Sequence, residues 1–153
     1  MSLFSTLGVS GSGLEAQRLR VEVLAQNVAN AQTTRTPEGG AYRRRHVVFE
    51  AEPVAASPFR AAFADLRSGG GSLDERGLYG VRVSRVVVDD TPPERRYLPQ
   101  HPDAGADGYV EFPPFHPVED MVDLSAAVRS YQANLAVIAA VKEMIQRTLE
   151  IAQ

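Results

Sequence analysis

After Pro117 the chain runs to its last residue, Gln153, without another proline or glycine. An apolar-rich stretch of that length with no breaker is a helix, because loops and sheet corners are punctuated by those residues. Pro117 suits a first helical position, and Glu119 and Asp120 place negative charge at the positive end of the helix dipole. The pattern predicts one helix from Pro117 to about Ala152, roughly 50 Å long at 1.5 Å per residue. It carries a heptad, with Met121, Val128, Leu135 and Leu149 at one core position and Leu124, Tyr131, Ile138, Ile145 and Ala152 at the other. Lys142 interrupts the first series. A second stripe, Val137, Val141, Met144 and Ile151, lies to the side.

The other end of the chain reads as a partner helix. "SGLE" places Ser12 and Glu15 in a capping-box spacing, predicting a helix from Ser12 that fades near Gln32, where "TTRTPEGG" supplies breakers. Leu14, Val21, Leu24, Val28 and Ala31 form its first stripe, and Ala16, Leu19 and Val23 a second. Between the helices, "YRRRHVVF" and "YGVRVSRVVVDD" alternate as strands and are expected to pair. The Pro- and Gly-rich stretch separating them reads as an exposed insertion at about 53–80, with a short helix at "SPFRAAFADL". From Asp89 to Pro117 the prolines leave room for one short strand, "GYVEF".

The expected fold is therefore α+β. Long N- and C-terminal helices pair as an antiparallel coiled coil, joined by a small β-rich central region and an extended, hairpin-like segment. The division is 1–33 with 117–153 for the helices and 34–116 for the centre. Each helix carries one stripe more than a two-helix pair can cover. Leaving about five medium apolar side chains exposed forfeits on the order of 8–15 kcal/mol. That rivals the whole stability of a typical domain, about 5–15 kcal/mol. The β-rich centre could fold back over part of the second stripe, as in a compact helix-on-sheet monomer, but it is too small to cover it all. Neighbouring subunits are the expected cover, with Leu19, Val23, Val137, Val141 and Met144 on the contacting face.

Composition excludes several chemistries. The chain has no cysteine, which removes disulfides, thiolate metal sites and a cysteine nucleophile. A formal charge of −3 supplies no chain-wide field for nucleic acid or membrane. The N-terminus lacks the basic and unbroken apolar regions of a cleaved signal peptide, and no window reaches a membrane span.

The remaining motifs are weak. His101, Pro102 and Asp103 spell a co-chaperone tripeptide, but a Val-rich strand precedes them where a helix belongs. In an EF-hand alignment of "DAGADG" the third position is Gly105 and the twelfth is Pro114, where a bidentate Glu is needed. His46, His101 and His116 are scattered, no nucleophile elbow occurs, and "GVSGSG" follows no strand. No catalytic, cofactor or metal residue is assigned. Arg43, Arg44 and Arg45 form the sharpest basic cluster. Read alone, it suits a solvated strand edge, a pairing within an assembly with acidic groups such as Asp89 and Asp90 or with a neighbour's, or a small binding module that takes an acidic ligand.

Two stretches nevertheless carry a resemblance. "SGSGLEAQRLRVEVLAQNVANAQTTRTPEGGAYRRRHVVF" and "MVDLSAAVRSYQANLAVIAAVKEMIQRTLEIA" are similar to the terminal signatures of bacterial flagellar basal-body rod proteins. "RTPEGGAYRR" and "HPDAGADGYVEFP" resemble the proximal-rod type. The resemblance covers 14–49 and 81–152 and departs at "PPFHPVEDM", which makes the start of the second helix stiffer. It implies a structural protein of the periplasmic rod, not an enzyme. Such a protein is exported through the flagellar type III apparatus without a cleaved signal, and assembles with copies of itself and other rod subunits in a helical tube that transmits torque. It also implies that Thr34, Arg35, Pro37, Gly39, Gly40, Tyr42 and Arg43 to Arg45 reach a neighbouring subunit. Asn27, Asn30 and Asn134 fall inside the matched motifs, where their amides either fix register near the seam or simply face solvent.

Overall fold

The computed structural model describes residues 3–53 and 79–151. The expected insertion helix lies outside them, as does nearly all of the 53–80 insertion. The architecture is α+β: helix α1 (Leu3–Ala29), strands β1 (Arg45–Pro53), β2 (Tyr79–Val88), β3 (Glu94–Tyr97) and β4 (Tyr109–Phe112), and helix α2 (Pro117–Ile151). β1 pairs with β2 antiparallel, and β3 with β4, giving two separate two-stranded sheets.

α2 follows its breaker-free sequence through 35 residues. α1 differs from expectation, because it starts at Leu3 and runs straight through the supposed cap at Ser12. The Ser12 hydroxyl donates to the Val9 carbonyl one turn back (2.9 Å) and accepts the Val81 amide of β2 (3.1 Å). A serine that bonds its own helix at i−3 needs no free helix end. Here it fastens the helix to the sheet.

α1 and α2 run antiparallel. A Cβ built on Gly13 would lie 3.0 Å from the Asn134 amide nitrogen, and Arg20 pairs with Asp123 at 3.9 Å, so ascending α1 descends α2. Gly13 thus gives Asn134 the space to sit at the seam. The other side of α1 covers β1 and β2, where Val47, Phe49, Val81 and Val83 are partly enclosed. β3 was not foreseen. "ERRY" has no apolar alternation, and all four residues are exposed. It exists because the turn after it brings β4 alongside, with Leu98 donating to the Gly108 carbonyl at 2.9 Å. Val110 on β4 is 1% exposed and anchors this small sheet.

Candidate assembly interface

The joint between α1 and β1 is built around Asn27, which is fully buried. Its Nδ2 donates to the Arg45 carbonyl (2.9 Å), and its Oδ1 accepts the Arg45 amide (3.0 Å) and the Tyr42 hydroxyl (3.0 Å). One side-chain amide thus takes the place of a neighbouring strand for the first residue of β1. Burial pushes the Tyr42 phenol above its ordinary range, partly offset by the Arg45 charge. The Tyr42 amide in turn donates to the Thr33 carbonyl (3.0 Å), closing the loop at its base. At the tip, Gly39 and Gly40 adopt φ of +93° and +75°, which side chains resist, and the Thr36 amide bonds across to Gly40 (2.9 Å).

The three arginines diverge. Arg43 reaches Asp90 on the surface (2.7 Å). Arg44 turns inward to the fully buried Asp120, lies 3.9 Å from Glu119, and covers the Phe115 ring. Arg45 contributes its backbone to Asn27. The cluster therefore ties the joint to α2 and to the end of β2, where Thr91 bonds hold the Asp89 carboxyl below its usual range. Thr34 Oγ1 donates to Asp103 (2.7 Å), and Arg35 lies 3.8 Å from the same carboxylate. Sequence reasoning missed the bonding of Asp103 to Thr34 and Arg35 and the inward role of Asp120. Asp120 was detectable: Asp120, Ala127, Asn134 and Val141 repeat every seven residues.

That repeat corrects the expected seam. α2 faces α1 with Asp120, Ala127, Asn134 and Val141 beside Leu124, Tyr131, Ile138 and Ile145, all buried or half-buried. Met121, Leu135 and Leu149, expected in the seam, are 52%, 44% and 62% exposed, and Val128 joins them outside. The physical reason is rotation. Both lines lie beside the Leu124 series, and Arg44 draws Asp120 inward, which turns the Met121 line out.

On α1, Leu24 is buried, and Leu14, Val21 and Val28 are half-buried. Of the residues expected to face neighbours, Val23 and Val141 are 6% and 3% exposed, used up inside the chain. Leu19 lines a groove between α1 and β2, while Val137 and Met144 are open to solvent. In the joint, Tyr42 is buried and Arg44 half-buried, so neither side chain is free for a neighbour; Arg35, Pro37, Gly39, Gly40 and Arg43 are exposed. Asn30 does not reach the seam; its amide donates to the Gln26 carbonyl (2.8 Å). Among the described residues, no three His, Asp or Glu converge as metal ligands, and no helix is long and apolar enough to cross a membrane.

A helix pair with one face covered, an apolar line left outside, and a joint fixed by buried polar bonds is the layout of a structural protein. The comparisons specify which. The family described as "Flagella basal body rod protein" matches residues 7–35, and "Flagellar basal body rod FlgEFG protein C-terminal" matches 106–151. The "Flagellar basal-body rod protein FlgC" of Borreliella burgdorferi is 41% identical over 100% of this chain and 99% of its own. Those of Bacillus subtilis and Salmonella typhimurium are each 37% identical, over 99% of both chains and 100% of both chains respectively. The chain belongs to the flagellar basal-body rod protein family, as a structural subunit of the FlgC type rather than an enzyme.

Proposed function

We propose that the chain builds the proximal rod of the flagellar basal body. It assembles helically with copies of itself and with other rod subunits into a tube that transmits torque across the periplasm. The observation that carries this reading is the one-sided burial of α2 in a chain whose full-length relatives are named as rod proteins. Residues 1–33 and 117–153 act as an antiparallel coiled-coil axial unit. Residues 34–116 form the central β-rich region, with the insertion at about 53–80.

Torque transmission in such a tube needs no reactive group. Stiffness comes from many modest helix contacts repeated around the axis, and from arms that bridge subunits. The arm here is the extended, hairpin-like segment from Thr34 to Arg45, and its exposed tip touches a neighbour. Delivery by the flagellar type III export apparatus, without a cleaved signal peptide, belongs to the same reading; nucleic acid, cofactors and membrane insertion do not.

Co-sedimentation of the full chain with other rod subunits tests it. The chain should pellet with the polymer. A Met121→Asp/Val128→Asp variant should remain in the supernatant with its helix content intact. A wild-type chain that stays soluble beside polymerised rod subunits overturns the reading.

A further inference from the structure

We propose that the groove between α1 and β2 receives the Val128–Leu135–Lys142 edge of α2 from a second copy of this chain. The inference rests on the assembly reading above and names one of its contacts. The groove has a volume of about 600 Å³, a floor of Ala16, Leu19, Val81 and Val83, and a rim that includes Glu15 and Glu52. The cations along it are already engaged, Arg18 with Glu22 and Arg82 with Glu50, each at 3.0 Å. Glu15 and Glu52 have no ion-pair partner among the described residues. Among the described residues the groove is therefore apolar below and carries uncompensated negative charge above.

The α2 edge is its complement. From Leu124 to Lys142 the helix contains no acidic residue and two cations, Arg129 and Lys142, neither of them ion-paired among the described residues. Lys142 stands on the line of exposed Met121, Val128, Leu135 and Leu149, at the position where the apolar series breaks. Leu135 and Lys142 are about 10 Å apart along the helix, and the groove follows α1 from Ser12 to Glu22, about 15 Å. Leu135 can rest on the floor while Lys142 reaches the rim carboxylates.

The chain's own α2 does not fill this groove. It packs on the Gly13 and Arg20 side of α1. Because edge and groove are different patches of one molecule, the contact is heterologous. It passes from copy to copy as a ring or filament and does not close a two-fold pair.

The absence of cysteine makes the test clean. Full-length Glu15→Cys and Lys142→Cys chains, both altered at exposed positions, are mixed, co-assembled with rod subunits and oxidised. A disulfide requires Cα atoms about 4.4–6.8 Å apart. The expected result is a crosslinked dimer in the mixture and none with either variant alone. In parallel, Lys142→Glu should weaken assembly several-fold, and Glu15→Lys/Glu52→Lys in the same chain should restore it. Crosslinking of one variant with itself, or normal assembly by Lys142→Glu without any mixed crosslink, overturns this contact and leaves the assembly reading standing. A wild-type chain that fails to sediment with rod subunits overturns both.

Discussion

The two helices are similar in sequence character and opposite in circumstance. α1 is enclosed on two sides, by α2 and by the β1–β2 sheet, and it buries Ala16, Val23, Leu24 and Asn27. α2 is longer, yet its fully buried residues are Asp120, Ala127 and Val141, while Met121, Val128, Leu135, Val137, Met144 and Leu149 remain outside. Apolar content therefore does not locate this core. The layer order does, because α1 lies between the other two layers. The helix with unspent apolar surface is the one to which the proposed assembly assigns contacts beyond the chain.

The comparison breaks first at Asp120, the charged residue that sets which side of α2 faces inward. Asp120→Ala leaves Arg44 half-buried with only the distant Glu119 and the Phe115 ring. Removing one partner of a buried pair costs about 3–5 kcal/mol. Because Arg44 keeps some solvent access, about 3 kcal/mol is expected, read as a lower midpoint in urea denaturation. Loss of the inward charge should also free α2 to rotate, so the exposure of Met121 to oxidants should fall. An unchanged midpoint and unchanged Met121 reactivity would mean that the seam is set by apolar packing alone.

Asn27 tests the other side of the comparison, the completeness of α1. Asn27→Ala removes three hydrogen bonds and strands the buried Tyr42 hydroxyl along with the Arg45 backbone groups. About 2 kcal/mol should be lost, since unsatisfied buried groups cost more than the bonds they forfeit. Hydrogen exchange at the Arg45 amide should accelerate with it. A change confined to exchange near Arg45 would show that the joint frays independently of the helix pair.

Much of this architecture was legible in the sequence. The breaker-free run gave α2 its bounds at Pro117, and the alternating valines gave β1 and β2 their pairing. What was not legible has common physical causes. Ser12 and Glu15 have a cap's spacing, but Ser12 uses its hydroxyl to hold β2, a partner 69 residues away. The heptad offered two adjacent seams, and Arg44, 76 residues from Asp120, bonds the inward one. Asp103 acts through Thr34 across a similar separation. Local periodicity reports which residues share a face. It does not report which face a distant charge turns inward.

A smaller effect attends Tyr42. Burial holds its phenol neutral in the folded chain, so the folded pKa lies above the unfolded one, ordinarily about 10. The associated stability is fully present below that value and is lost as pH rises through the folded pKa, because the unfolded chain ionises first. Tyr42→Phe should cost about 1 kcal/mol at neutral pH by stranding one acceptor contact on Asn27. It should also flatten the alkaline decline. A decline of the same size in the variant would assign that loss to other groups.

The smallest effect on the isolated chain belongs to Leu135, and it sharpens the contrast between the helices most. Leu135 is large, apolar and mid-helix, so composition alone marks it as core; the structure leaves it 44% exposed. Leu135→Gln keeps a strong helix former and removes little buried area, so the stability of the monomer should change by less than about 0.5 kcal/mol. The equivalent change on α1, Leu24→Gln, replaces a buried apolar side chain with an amide and should cost several times more, about 2–3 kcal/mol. Assembly should show the reverse weighting for Leu135, with co-sedimentation reduced while the urea midpoint holds. Equal midpoint losses at Leu24 and Leu135 would mean that α2 is covered within the chain after all. The distinction between a helix that is finished inside the subunit and one that is not would then collapse.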